Sequence, residues 1–243
     1  MALAAMEDAP RQPKYYLVKR HLLDLIDHLD PGSPVPTERE LTVDLSTSRT
    51  TVRQALAELV GEGRLVRRQG SGTYVAEPKI VWPLRMNSFT EQAAASGLPS
   101  SSRLLDATRE RAGKELAAKL GVKSGAAVFC IKRLRLVDGT PMAVEASYLP
   151  AARFPGLIAE LRKTSSLYEV LGHVYGVQPI SAEETIETAP ASPLEAELLG
   201  VDTGLPMLVL GRHSFDADRK PIEWVRSWYR GDRYIFVADL SSA

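Results

Sequence analysis

The feature that most constrains the fold of this 243-residue chain is a glycine turn between two short runs of strand-forming residues, RLVRRQGSGTYVA at 64–76. Two such runs around a glycine turn predict a β-hairpin. A nucleotide-binding loop is excluded, because the spacing G-x-x-x-x-G-K-[ST] is absent and a strand follows the glycines where that loop needs a helix. The glycines therefore predict a thin hairpin tip.

Three helices are predicted before the hairpin. The first has apolar residues at helical spacing and ends at DPGSPVP, where proline and glycine oppose its continuation. Thr37 and Glu40 have the spacing of a capping box, which opens a second, short helix. Ser48 can cap a third helix that runs to about Glu62. The order helix, helix, turn, helix, hairpin is that of a winged helix-turn-helix.

Local charge indicates which surface of this unit meets a partner. The whole chain has 30 basic and 30 acidic residues, and the first 79 residues are also balanced, with 11 of each. Between Arg49 and Arg68, however, five arginines face two glutamates, a net charge of +3. Positive charge on one edge suits a surface that faces a DNA duplex, with the third helix in the major groove. The alternative is that these arginines are ordinary solvated charges.

The segment PTERELTVDLSTSRTTVRQALAELVGEGRLVRRQGSGTYVA resembles the DNA-binding domain of GntR-superfamily repressors, over about residues 14–76. The resemblance rests on P-x-E-R-x-L, S-R-T-T-V-R-x-A-L and G-x-G-T-[YF]-V taken together. It places Gly70 at a wing tip in the minor groove and makes Ser48 either a cap or a contact. It implies DNA contacts from five further residues: Arg39, Arg49, Thr50, Thr51 and Arg53. Wing residues Arg67 and Arg68 either touch phosphates or pair with Glu62 and Glu77.

We predict four parts in the chain: a flexible tail at 1–12, the winged domain at 13–76, a linker at 77–87 and a second domain at 88–243. The linker prediction rests on EPKIVWPLR, which has two prolines and no clear periodicity. Such a segment is typical of a connection between domains.

The second domain contains an internal repeat. LGVKSGAAVFCIKR at 120–133 matches LGVDTGLPMLVLGR at 199–212, with an offset of 79 residues. Each copy continues into a strand, a turn with Pro141 or Pro221, and a second strand. We therefore predict an α+β fold in which two related halves share one antiparallel sheet; the alternative is chance recurrence of a helix C-cap.

Two arginines stand out on the first of these strands. Arg133 and Arg135 are two apart, so they share a face, and burying them without an anion would be unfavourable. An odd loop length at the Asp138–Gly139 turn would place Arg133 opposite Glu145, whereas a two-residue loop would place it opposite Val144. The alternative is an ordinary Arg–Glu pair on a solvated face.

Two other segments are informative. Ser88 in NSFTEQ can cap the next helix and leave backbone N–H groups free for an anion; the alternative is a structural cap alone. The segment SWYRGDRYIFVADL predicts a final strand and turn, with Arg230 and Asp232 as a local pair.

Residues 87–239 resemble the UTRA effector domain of HutC-type regulators, which has the chorismate-lyase-like fold. SFTE, IKRLRL, PMAVEASYLP, SLYEVL, AEETIET, GLPML and PIEWVRSWYRGDRY resemble, more narrowly, the NagR and DasR type of regulator of N-acetylglucosamine utilisation, whose effectors are amino-sugar phosphates. Departures are Gln92, where relatives have an acidic residue, and Trp228, where they have a smaller one; these bear on helix capping and pocket size. The resemblance implies two sets of ligand contacts: Ser88, Phe89, Thr90, Arg133, Arg135 and Ser166 for the phosphate, and Glu145, Tyr168, Glu223 and Tyr229 for the sugar.

Together these features predict a homodimeric repressor that binds a palindromic double-stranded operator. An amino-sugar phosphate, such as glucosamine-6-phosphate or N-acetylglucosamine-6-phosphate, would control it. One alternative is a phosphosugar-acting enzyme, with Glu145 or Glu223 as the base and His173 or His213 as further candidates. Another is a constitutive DNA-binding dimer without an effector. The operator sequence and the direction of the effector response are not predicted.

No Ser-His-Asp, metal-spaced or paired-carboxylate signature occurs, so we predict no enzyme activity, no catalytic residue, no metal site and no cofactor. Cys130 is the only cysteine, which excludes an intrachain disulfide. The chain has no apolar stretch of about 18 residues and no secretory signal pattern at its start. We therefore expect a cytoplasmic protein without a membrane partner.

Overall fold

The computed structural model describes residues 13–68, 70–164 and 166–240. The predicted tail at 1–12 lies outside the described residues. The chain divides into two compact units, Met1–Lys79 and Ile80–Ala243. Among the described residues, none of the helices combines the length and the apolar character that a membrane crossing requires.

The first unit has the predicted order of three helices and a hairpin. Thr37 and Glu40 form the capping box of the second helix, and the Ser48 hydroxyl accepts a hydrogen bond from the Thr51 amide at 3.1 Å to cap the third. The buried faces of the helices and the hairpin share one apolar core. The elements are α1 (Lys14–Ile26), α2 (Glu38–Asp44), α3 (Arg49–Gly61), β1 (Leu65–Arg68) and β2 (Gly72–Val75).

The structure differs from the predicted linker at 77–87. Its residues Ile80–Pro83 form strand β3, which pairs in parallel with the last strand, β10 (Tyr234–Val237). Trp82 is completely buried in this unit. The pairing partner lies about 150 residues further along the chain, and Pro83 stands at the strand end, where its missing N–H is tolerated. Local composition therefore gave no sign of the strand.

The second unit is an α+β fold built on a six-stranded antiparallel sheet, as predicted. Each copy of the repeat supplies a strand, a short helix and a hairpin, and the two halves meet where β6 pairs with β9. The strand order is β4-β5-β6-β9-β8-β7. The first half is β4 (Ser100–Arg111), α5 (Lys114–Lys119), β5 (Ala127–Val137) and β6 (Thr140–Pro150). The second is β7 (Ser181–Pro190), α8 (Pro193–Leu199), β8 (Pro206–Phe215) and β9 (Pro221–Arg230). Outside the repeat lie α4 (Phe89–Ala95), α6 (Leu157–Leu161) and α7 (Leu167–Tyr175).

The β5–β6 hairpin shows which residue of β6 lies opposite Arg133. Its loop has two residues, since Val137 pairs with Thr140, yet Arg133 lies opposite Glu145. Both hold because the register shifts by one residue after Arg135, at a β-bulge. A bulge inserts one extra residue on one strand. The prediction that loop length alone decides which residue lies opposite Arg133 was therefore wrong.

Candidate functional site

All ten residues predicted to contact a ligand line one cavity in the second unit, which has a volume of about 580 Å³ including its open mouth. Its floor is one face of the sheet, where Arg133, Glu145, Ser227 and Leu210 lie in register across β5, β6, β9 and β8. Its walls are the first turns of α4 and α7. The ten residues are Ser88, Phe89, Thr90, Arg133, Arg135, Glu145, Ser166, Tyr168, Glu223 and Tyr229.

One carboxylate is shared by the two arginines on the cavity floor. Arg133 Nη2 and Arg135 Nη2 both donate to Glu145 Oε1, the latter at 2.7 Å. Arg135 Nη1 also donates to Ser102 Oγ at 2.7 Å, and its guanidinium lies 5.2 Å from the centre of the Phe89 ring. Each arginine is only 5 % exposed. The alternative of a solvated Arg–Glu pair is therefore wrong.

At this centre two buried arginines share a single carboxylate, so the positive charges outnumber the negative one. Burial opposes ionisation of Glu145, yet the charges of Arg133 and Arg135 and their hydrogen bonds lower its pKa to about 2. Burial, followed by the nearby charge of Arg135, lowers the pKa of Arg133. Within the described part of the chain, Arg133 Nε and Nη1 have no hydrogen-bond partner. Buried donors without partners are unfavourable, so this guanidinium is suited to accept an anion.

A second carboxylate, Glu223, lies deeper in a different environment. Its Oε1 accepts hydrogen bonds from the hydroxyls of Tyr168 at 2.7 Å and Ser214 at 3.2 Å, while Oε2 has no partner among the described residues. Burial raises the pKa of Glu223, and the charge of Glu145 raises it further. The cavity thus holds one carboxylate that is stabilised as an anion and one that is not.

We expect Glu223→Gln to stabilise the protein at neutral and alkaline pH. Because the pKa of Glu223 in the folded state lies above its usual 4.5, the wild type loses stability as pH rises from that value through the raised pKa. The glutamine stays neutral, so the margin by which the melting temperature of the variant exceeds that of the wild type should grow as pH rises above 4.5 and become constant once pH exceeds the folded-state pKa. Glu197→Gln on the exposed face of α8 is the control. A Glu223→Gln protein less stable than the wild type at pH 8 would contradict this.

Sequence reasoning missed a third arginine of the cavity, Arg212 on β8. Its Nε donates to Glu184 Oε1 at 3.0 Å, and its Nη1 and Nη2 donate to the carbonyls of Asn87 at 3.1 Å and Arg85 at 3.3 Å. The signal was present, because the 79-residue repeat aligns Arg212 with Arg133. The equivalent arginine of each half therefore lines the same cavity.

The two departures from the family pattern have different structural consequences. The buried amide of Gln92 donates to the Pro83 carbonyl, which an ionised acidic residue could not do. Ser88 and Glu91 form the capping box of α4 without it. Trp228 lies on the face of β9 opposite the cavity, because Ser227 and Tyr229 face inward and neighbours in a strand alternate. It packs against an apolar cluster there, so it does not set the pocket size.

In the first unit, most of the residues predicted to contact DNA lie on an open surface, whereas Thr51 is half-buried and its hydroxyl forms a hydrogen bond with that of Ser48. Arg49, Thr50 and Arg53 are exposed on the face of α3 opposite its buried residues. Arg53 Nε donates to Glu38 Oε2 at 2.7 Å, a contact between α3 and α2. Arg39 is exposed at the start of α2.

At the hairpin tip, Gly70 has φ 71°, a left-handed conformation that favours glycine. The Arg68 guanidinium lies 4.3 Å from the centre of the Tyr74 ring, and Glu62 pairs with Lys19 at 2.5 Å. Among the described residues, neither Arg67 nor Arg68 forms an ion pair with Glu62 or Glu77.

Comparison with known proteins identifies both units. Residues 14–75 match the family described as bacterial regulatory proteins, gntR family, and residues 95–235 match the UTRA domain. The chain is 43 % identical to the HTH-type transcriptional repressor PhnF of Mycolicibacterium smegmatis, over 95 % of this chain and 93 % of that protein. It is 38 % identical to the HTH-type transcriptional repressor NagR of Bacillus subtilis, over 93 % of each.

A third relative is the histidine utilization repressor of Pseudomonas putida, 34 % identical over 96 % of this chain and 93 % of that protein. Among solved structures, the crystal structure of PhnF from Mycobacterium smegmatis aligns with a TM-score of 0.65 and 41 % identity, covering 93 % of this chain and all of that one. These relatives are transcriptional regulators rather than enzymes. The chain therefore belongs to the GntR family, as a transcriptional repressor of the HutC type with a UTRA effector domain.

Proposed function

We propose that this repressor binds a palindromic operator as a homodimer and that a phosphorylated amino sugar in the UTRA cavity controls the binding. The observation that carries the effector proposal is the buried Arg133 guanidinium, whose Nε and Nη1 have no partner in the described part of the chain. A phosphate monoester is mainly a dianion near neutral pH, so its terminal oxygens accept hydrogen bonds, and its pairing with arginine is among the strongest hydrogen-bonded interactions in proteins. The hydroxyls of Ser88, Thr90 and Ser166 line the same cavity and add donors.

The remainder of the cavity suits the sugar. Glu223 Oε2 has no partner among the described residues and would accept a hydrogen bond from an amine or a hydroxyl. The rings of Tyr168 and Tyr229 add flat apolar surface to the cavity. The similarity to NagR, together with the motifs that resemble regulators of N-acetylglucosamine utilisation, supports an amino sugar as the ligand.

The exposed residues of α3 and of the β1–β2 tip support the DNA-binding half of the proposal. Arg49 and Thr50 stand in the first turn of α3, the part of a recognition helix that reads base edges. A recognition helix of this length reads only a half-site, so two copies related by a two-fold axis would read a palindrome.

Thermal unfolding of the full chain with defined ligands tests the effector. We expect glucosamine-6-phosphate or N-acetylglucosamine-6-phosphate, at 100 times its dissociation constant, to stabilise the protein by about 2.7 kcal/mol. For a chain of this size that corresponds to a rise in melting temperature of roughly 5–10 °C. Glucosamine without phosphate should give no comparable rise. The absence of a rise with either phosphosugar, or an equal rise with glucosamine, would contradict the proposal.

A further inference from the structure

The segment 84–88 connects β3 to α4 and therefore runs from the edge of the second unit into its cavity. Its upstream end continues β3, which begins one residue after the unit boundary at Lys79. Its downstream end is Ser88, the N-cap of α4, which lines the cavity beside Phe89 and Thr90. A displacement of this segment would therefore move Ser88 in the cavity lining and also β3, which continues into the chain that leads to the DNA-binding unit.

The backbone of this segment is held by a side chain from the other half of the repeat. Arg212, on β8, donates from Nη1 to the Asn87 carbonyl and from Nη2 to the Arg85 carbonyl. The segment's first residue, Leu84, donates its amide to the Val237 carbonyl at 2.8 Å. These two contacts join residues that are more than 120 positions apart in the sequence. The Arg212 side chain that makes them is only 17 % exposed.

The same guanidinium faces the cavity. Arg212 lines it together with Glu184, whose two oxygens accept from Nε at 3.0 Å and from Nη2 at 3.1 Å. The two N–H groups of Nη2 therefore donate to different acceptors, one to a carboxylate and one to a backbone carbonyl. An anion in the cavity adds a charged acceptor beside this cation, and hydrogen bonds to charged acceptors are stronger than those to neutral carbonyls. Four of the five N–H groups of Arg212 are already used, so an anion in the cavity gains more than one hydrogen bond from this side chain only by displacing Glu184 or the segment.

We propose that Arg212 is a positioning residue that transmits occupancy of the cavity to the segment 84–88, and through β3 to the chain that leads to the DNA-binding unit. The inference rests on the proposed function. A ligand shifts an equilibrium only by the difference in its affinity for the two states. Arg212 supplies that difference, because its bonds to the segment depend on what occupies the cavity.

The test measures coupling separately from affinity, in the full chain with glucosamine-6-phosphate as the probe. For each protein, operator affinity by fluorescence anisotropy is compared without effector and at saturating effector, and effector affinity is measured by calorimetry. We expect the effector to change the operator affinity of the wild type by about 5- to 150-fold. In Arg212→Gln this factor should fall to near 1 even at saturation, although effector binding itself is weakened.

Arg226→Gln is the matched control, since Arg226 lies on the neighbouring strand, on the face opposite the cavity, and is 42 % exposed at the side chain. In Arg226→Gln the effector should change operator affinity by the same factor as in the wild type. Arg212→Lys, which keeps the charge but not the fork that reaches two carbonyls, should show reduced coupling and serves if the glutamine variant fails to fold. Amide hydrogen exchange should show an effector-dependent change at 84–88 in the wild type and none in Arg212→Gln.

Two results would overturn the inference. If Arg212→Gln at saturating effector keeps the wild-type factor, Arg212 does not transmit occupancy. If it loses effector binding altogether while Arg212→Lys keeps full coupling, Arg212 is a ligand contact and no more. Failure of the proposed function is distinguishable, because the wild type itself would then bind no effector in calorimetry.

Discussion

Replacing Arg49 with alanine is expected to lower operator affinity by about 30-fold to about 20,000-fold while leaving the fold intact. Arg49 is exposed in the first turn of α3, and no described residue forms an ion pair with it, so its removal disturbs no internal contact. A good bidentate contact between arginine and guanine contributes about 1–3 kcal/mol of discrimination. A dimer would lose two such contacts, or about 2–6 kcal/mol, and each 1.4 kcal/mol is a factor of ten.

The measurement is fluorescence anisotropy with operator and with scrambled DNA, at several salt concentrations. Arg20→Ala is the control, because it removes the same charge from an exposed position on α1 of the same unit. It should weaken binding to both DNAs slightly and equally, through the loss of a general attraction to phosphates. Arg49→Ala should mainly reduce the preference for the operator. An Arg49→Ala protein that keeps this preference would show that α3 is not the recognition helix.

The parts of the fold that could be predicted from sequence are those fixed by local chemistry. Thr37 with Glu40, and Ser48 with the α3 amides, form the caps that their spacing indicates. The repeat predicted two related halves because its two copies are similar in sequence and therefore fold into the same elements. By contrast, β3 could not be predicted, because its partner β10 is distant in sequence and its own four residues, IVWP, show no alternation of apolar and polar residues that marks a strand.

The site shows the same division between local and non-local information. The family resemblance named the ten residues, and alternation along β5 placed Arg133 and Arg135 on one face. That Glu145 serves both arginines depends on the bulge after Arg135, which no turn motif specified. Arg212 depends on the pairing of β8 with β9 across the sheet. Its contacts to Arg85 and Asn87 involve backbone carbonyls, which sequence does not distinguish.

The largest effect expected in the cavity concerns Glu145→Gln. Removing one partner of a buried ion pair typically destabilises a protein by 3–5 kcal/mol, because a charge remains buried without compensation. Here Arg133 and Arg135 both lose their carboxylate, while the glutamine oxygen still accepts a hydrogen bond. We therefore expect a loss of about 3 kcal/mol, or roughly 6–12 °C in melting temperature. Glu197→Gln on the exposed face of α8 should leave the melting temperature unchanged.

The pH dependence of this loss follows from the pKa of Glu145. Since its folded pKa of about 2 lies below the usual 4.5, the carboxylate contributes stability that is complete above pH 4.5 and is lost as pH falls toward 2. The difference in stability between the wild type and Glu145→Gln should therefore be constant between pH 5 and 8. It should shrink below pH 4.5. A difference that grew on acidification would contradict the ionised state of Glu145.

Inorganic phosphate should restore much of the stability that Glu145→Gln loses. In the wild type the Glu145 carboxylate already occupies donors of both arginines and repels an incoming anion. In the variant the negative charge is gone and the glutamine oxygen satisfies only part of those donors, so phosphate would replace the missing charge and raise the melting temperature more than it does in the wild type. Equal concentrations of chloride control for ionic strength. If phosphate stabilised the wild type and the variant equally, the anion would bind elsewhere, and Arg133 and Arg135 would not form the phosphate site.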